Sequence, residues 1–110
     1  QADGVASHCY WLNEAEMYSR DHGLGYLYYR QEWPDKLLFI TEFSNPAMDV
    51  DLQVKANQYV RYYRHLREVP GVGAGFCFTV SASSGFTHET WRDEAGQQSP
   101  ISYVVGSRTF

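Results

Sequence analysis

Apolar and polar positions alternate between two regimes along the chain. Gly4-Val5-Ala6-Ser7-His8-Cys9-Tyr10-Trp11 is a short β-compatible run that ends in the polar stretch Asn13-Glu14-Ala15-Glu16, read as a loop. Past the breaker cluster His22-Gly23-Leu24-Gly25, residues Leu24, Leu27, Tyr28 and Gln31 fall at helical spacing, which predicts a helix over 24–32, stopped before Pro34. Leu37-Leu38-Phe39-Ile40-Thr41 is apolar without alternation, the pattern of a parallel strand buried on both faces, and it ends at Glu42. Leu52, Ala56, Tyr59, Tyr63 and Leu66 then share one helical face within a helix predicted over 49–68. Asp49 and Asp51 near its start and Arg61, Arg64 and Arg67 in its second half complement the helix dipole, and Pro70-Gly71 ends it. A third strand is predicted over 73–80. The segment 81–110 mixes Ser and Gly with aromatics, and Ile101-Ser102-Tyr103-Val104-Val105 suits either a last helical turn or a strand.

The order strand, helix, strand, helix, strand predicts an α/β fold built as a parallel βαβαβ segment. Strand starts near 4, 37 and 73 give spacings of 33 and 36 residues. A complete eight-unit barrel needs about 250 residues, or about 31 per unit. The 110 residues therefore hold about three such units, a single partial domain with 81–110 as its last loop and element. Three strands cannot close and would expose two parallel edges, so this is part of a larger chain, a chain that assembles with copies of itself, or a small open α/β domain. The start at Gln1, with no basic or apolar leader, suits a mature protein, a trimmed chain or an excised piece.

Composition narrows the function. Thirteen acidic against nine basic side chains give a net charge of -4, which argues against a nucleic-acid partner. No apolar run reaches the roughly 18 residues needed to span a membrane. His8, His22, His65 and His88 with Cys9 and Cys77 show no zinc spacing, and the residues imply neither metal nor cofactor. With Cys9 and Cys77 on strands that flank a third, the thiols are expected to be free and buried. Gly71-Val72-Gly73-Ala74-Gly75-Phe76 precedes a strand, so it is no dinucleotide fingerprint, and Ser81-Ala82-Ser83-Ser84-Gly85 is no nucleophile elbow. Aromatic residues make up 16% of the chain, enough to line a ligand surface as well as a core.

In parallel α/β architectures chemistry collects at the carboxyl ends of the strands. The first end offers His8, Tyr10 and Trp11; the second, Glu42; the third, Phe78, Thr79 and Ser81. A carboxylate directly after an apolar strand acts as nucleophile or base, orients a ligand, or simply pairs with a cation.

These residues resemble retaining (β/α)₈-barrel glycoside hydrolases, the clan of cellulases, mannanases and xylosidase-like enzymes. Leu37-Leu38-Phe39-Ile40-Thr41-Glu42-Phe43 resembles the clan's seventh strand, whose terminal Glu is the catalytic nucleophile. Ser7-His8-Cys9-Tyr10-Trp11 resembles its sixth strand, where a His-x-Tyr pair lines the sugar site. Tyr29-Arg30 and Trp33-Pro34-Asp35-Lys36 resemble the sixth helix and the approach to the seventh strand, and Gly73 to Thr79 stands where the eighth belongs. The resemblance implies a partial TIM barrel, with Glu42 as nucleophile and His8, Tyr10, Trp11, Phe78 and Trp91 contacting a carbohydrate, Tyr10 bonding the nucleophile carboxylate. Secretion would suit a polysaccharide-degrading enzyme.

The chain departs from that pattern in two places. Phe78 or Thr79 stands where the clan often has a Trp at the end of its eighth strand, with Trp91 as substitute from the following loop. The acid/base Glu of the clan belongs to an Asn-Glu motif on the fourth strand, and Asn13-Glu14 lies after the sixth-strand motif, so that role is not transferred. Retaining hydrolysis needs two carboxyl groups about 5–5.5 Å apart. The expectation is hydrolysis by a parent protein and none by this chain alone. The alternatives are a non-catalytic carbohydrate-binding remnant and a small α/β oligomerising domain.

Overall fold

A computed structural model describes residues 2–81 and 85–110; the Ala82-Ser83-Ser84 part of the serine-rich motif lies outside the described residues. The elements are β1 (Gly4–Tyr10), α1 (Glu14–Met17), α2 (Tyr26–Glu32), β2 (Leu37–Ser44), α3 (Leu52–Arg67), β3 (Val72–Cys77) and α4 (Pro100–Gly106). The three strands form one parallel sheet in the order β1-β2-β3, as an α/β alternation requires.

The expected elements are present with shifted ends. α3 starts at Leu52 because Asp51 caps it, its carboxylate accepting from the Gln53 amide at 2.7 Å. β2 runs on through Glu42 to Ser44, while β3 stops at Cys77, short of the expected 80. The 101–105 segment is helical, opened by Pro100 in its first turn. The stretch read as a loop after β1 contains the short helix α1. Its signature is reciprocal capping: Asn13 Oδ1 accepts from the Glu16 amide at 3.0 Å, and Glu16 Oε2 accepts from the Leu12 amide at 2.7 Å.

One face of the sheet carries the core. Cys9, Leu38, Ile40 and Phe43 are buried together with Ala56, Tyr59, Tyr62 and Leu66 of α3. Residues of the opposite phase, Ala6, His8, Leu37, Thr41 and Phe76, are exposed. The sheet is thus half covered. Cys9 and Cys77 are free, separated by β2 as expected, though Cys77 is only partly buried by side-chain area. Burial pushes its thiol up to about 12.

Arg30 ties the lower end together. Its guanidinium donates to the carbonyls of Pro34, Lys36 and Pro70, so one side chain closes α2, the start of β2 and the turn into β3. Gly71, at φ +80°, makes that turn, and a Cβ there would stand 2.4 Å from the guanidinium.

Candidate functional site

The site begins with a register break. Ser7 pairs with Ile40 and His8 with Glu42, so Thr41 is an extra residue on β2. Ile40 and Phe43 both face the core. In unbroken alternation Glu42 would share the face of Ile40. The bulge at Thr41 moves it to the open face, beside His8.

There the Tyr10 hydroxyl donates a hydrogen bond to Glu42 Oε2. His8 Nδ1 lies 3.5 Å from the same oxygen. The His8 and Tyr10 rings meet edge to face, with centroids 6.5 Å apart. The Glu42 side chain is 35% exposed and His8 55%, so the carboxylate is reachable from outside. The Tyr10 phenol is held well above its ordinary range, first by burial, then by its hydrogen bond to Glu42 and the negative charges of Glu42 and Glu89. It therefore remains a donor. A partly exposed carboxylate fixed by one phenolic proton, with an imidazole alongside, can attack an electrophilic carbon or accept a proton.

Of the sequence-predicted residues, the structure brings together Glu42, His8 and Tyr10. Phe78 is near by connectivity: its amide donates to the Phe43 carbonyl at 2.9 Å, and its ring is half-buried, edge-on to Phe86 at 5.1 Å. Trp11 is a correction. It is 1% exposed and belongs to the core, stacked on Phe43 at 5.9 Å and against Tyr62 at 4.7 Å, with its indole N–H donated to Gln58. It follows Ser7 and Cys9 in the inward phase and has no surface to offer a ligand. Trp91 is likewise on the helix side of the sheet: its indole N–H donates to Cys77 Sγ at 3.2 Å, and it shares a hollow of about 240 Å³ with Tyr63, Arg67, Val105 and Phe110.

Sequence reasoning missed Glu89. This carboxylate, on the loop between β3 and α4, is 2% exposed. Ser44 Oγ donates to its Oε2, and His88 Nε2 lies 3.4 Å from Oε1. Lys55, also fully buried, donates to the carbonyls of Ala47 and His88, both at 2.6 Å. Burial lowers the Lys55 ammonium's affinity for its proton, and the charges of Glu89 and Asp49 oppose that. The one sequence signal was Lys55 itself, a cation beside Ala56 on the inward part of α3. Among the described residues no three His, Cys, Asp or Glu side chains gather as a metal site.

No protein-family model matches the chain, and no curated protein does. Solved structures do. A family 128 (subgroup II) endo-β-1,3-glucanase from Pseudomonas viridiflava superposes with a TM-score of 0.70 at 20% identity, over 100% of this chain and 41% of that one. The corresponding enzyme from Sorangium cellulosum gives 0.67 at 15% identity, over 96% of this chain and 40% of that one. At this identity the likeness is one of fold. The chain spans about two fifths of the solved structures it matches.

Proposed function

We propose that this chain is the closing part of a (β/α)₈-barrel glycoside hydrolase that cleaves β-glucans, with β-1,3-linked glucan as its first candidate substrate, by a retaining mechanism in which Glu42 is the nucleophile. The observation that carries the reading is the Tyr10 hydrogen bond to a reachable Glu42 at the carboxyl end of adjacent parallel strands. The half-covered sheet and the two-fifths coverage of the solved endo-β-1,3-glucanases support this reading.

In this scheme a Glu42 oxygen bonds to the anomeric carbon as the glycosidic C–O bond breaks. The leaving oxygen takes a proton from a carboxylic acid supplied by an earlier strand of the intact protein. Water then attacks the anomeric carbon, gives a proton to that second carboxylate and releases Glu42. Tyr10 and His8 orient the nucleophile and the sugar. An oligomerising α/β domain is the reading that the exposed Leu37 and Phe76 of the open sheet face would favour.

The test uses the intact protein on a soluble β-1,3-glucan. Reducing ends should accumulate, with the β-anomer formed first. A 2-deoxy-2-fluoro β-glucosyl substrate should leave its sugar on Glu42, seen by peptide mass mapping. Glu42→Gln should remove hydrolysis by several orders of magnitude, as loss of a covalent nucleophile does. Turnover that survives Glu42→Gln, or a label on another residue, overturns the assignment. The 110-residue chain alone should show no turnover, since this reading assigns the acid/base carboxylate to an earlier strand of the intact protein.

A further inference from the structure

The loop that follows β3 is held down at two points. The Glu89 carboxylate accepts from the Ser44 hydroxyl at the end of β2, and the Lys55 ammonium of α3 donates to the His88 carbonyl at 2.6 Å. Both charged groups are buried, where losing a hydrogen bond is costly, so residues 88 and 89 are firmly moored. The Phe86 carbonyl accepts from the Glu89 amide at 2.9 Å, which carries the mooring back to Phe86. Its ring meets the Phe78 ring at 5.1 Å with the planes nearly perpendicular, at 82°, yet Phe86 stays 39% exposed.

This anchored ring stands at the mouth of the Glu42 site. Phe43 pairs with Cys77, and the Phe78 amide donates to the Phe43 carbonyl at 2.9 Å, so Phe78 lies beside the residues that follow Glu42 on β2. Cys77 packs on the core, and Phe76 and Phe78 on either side of it take the opposite phase, the face of Glu42. The carboxylate therefore has unlike flanks: His8 and Tyr10 on β1 are polar, and Phe76, Phe78 and Phe86 on the β3 side are apolar. An apolar cluster left open beside polar groups marks a ligand surface. A β-glucosyl ring has all its hydroxyls equatorial, so its polar groups form a rim and each face is a patch of C–H. Between these flanks it can turn hydroxyls to β1 and a C–H face to the phenylalanines. An axial hydroxyl would instead be pressed onto an aromatic surface without a hydrogen-bond partner.

We propose that Phe86 is a substrate-binding residue of the Glu42 site: with Phe78 beside it, it packs on the C–H face of a glucosyl unit and selects hexoses whose hydroxyls are all equatorial. The proposal rests on the reading of Glu42 as nucleophile of a glucan hydrolase and adds the contact that orients the sugar.

The experiment uses the intact protein and soluble β-1,3-glucan, by steady-state kinetics and by calorimetric titration in the Glu42→Gln background, which binds without cleaving. Phe86→Ala should raise KM and Kd by about three- to tenfold with kcat held, the scale of one aromatic contact that acts on binding. Phe86→Leu keeps apolar bulk without a flat face and should show the same loss, whereas Phe86→Trp restores the face and should recover most of the affinity. A loop that needs Phe86 only for packing would lose melting temperature in Phe86→Ala and be repaired by Leu. That result, or an unmoved KM in Phe86→Ala, overturns the proposal. Should Phe86→Ala fail to fold, the Leu and Trp variants decide between the same two outcomes. Hydrolysis that survives Glu42→Gln, or no binding of glucan at all, brings down the reading of the site and the proposal with it. Hydrolysis that needs Glu42 but is indifferent to Phe86 brings down the proposal alone.

Discussion

The hydroxyl of Tyr10 on β1 reaches the carboxylate of Glu42 on β2, although Tyr10 is in register with Ser44, two residues further along. The phenol leans back over one pair of the ladder, and the bulge at Thr41 puts Glu42 on the face where it can be met. The two residues form one unit: the phenol donates to the carboxylate, and the phenol's proton is held by burial first and then by the carboxylate.

Tyr10→Phe removes that donor and leaves the ring. A hydrogen bond to a charged group contributes about 1.5–3 kcal/mol, so kcat/KM for the intact protein is expected to fall by about 10- to 100-fold. Steady-state kinetics with circular dichroism to confirm folding checks this. A change under twofold would mean that the phenol does not orient the carboxylate.

Trp11 is expected to matter for stability and not for binding. Its indole fills the space between Phe43, Tyr59 and Tyr62. Gln58 Oε1, its hydrogen-bond partner, keeps a second donor in Asn45 Nδ2 at 2.9 Å, so removal of the indole leaves a cavity more than an orphaned polar group. Trp11→Ala should therefore cost about 3–5 kcal/mol in urea unfolding. Trp11→Phe should fold with KM for glucan unchanged, and a severalfold rise in KM would restore Trp11 to the sugar site.

How much of this could be read from the sequence differs residue by residue. The parallel strands were legible because Leu37 to Thr41 and the run before Tyr10 are apolar stretches bounded by breakers. The face taken by Glu42 was not, because an apolar strand without alternation carries no mark of a bulge. Trp11 was legible in principle: Ser7, Cys9 and Trp11 share one phase, and Cys9 was already expected inside. α1 was announced by Asn13 and Glu16 three residues apart, a spacing hidden by its brevity. Glu89 was not legible. It lies in a polar loop without periodicity, and what buries it comes from α3 and the end of β2, far away in sequence.

Gly23 is a position where the backbone leaves no room. A Cβ there would lie 2.1 Å from the Met17 carbonyl oxygen, which belongs to the main chain and cannot swing aside. The Gly23 carbonyl also accepts the Tyr62 hydroxyl at 2.6 Å, fixing the segment against α3. Gly23→Ala is expected to destabilise by more than about 2 kcal/mol, in the range of strained or overpacked sites. Gly106→Ala, where nothing lies within 4 Å, is the control and should stay within about 0.5 kcal/mol. Paired urea titrations measure both, and equal midpoints would contradict the packing described.

The last expectation concerns pH. His65, in the final turn of α3, is partly buried, and burial holds its imidazole below the ordinary value. The Tyr26 hydroxyl stands 2.7 Å from Nε2, and burial pushes that phenol up to about 12, so it stays a donor and Nε2 is best left as an acceptor. The helix dipole favours a cation at this end, but desolvation prevails. The unfolded chain therefore takes up a proton near pH 6.5, before the folded one does. The stability contributed by neutral His65 is complete above about pH 6.5 and is lost as pH falls through the lower folded value. His65→Gln keeps an acceptor for Tyr26 and cannot titrate. Thermal melts at intervals from pH 7.5 to 5 should show the wild type losing more stability than His65→Gln. His8, His22 and His88 are present in both proteins, so the difference between the two curves reports His65, and parallel curves would refute its burial as a neutral group.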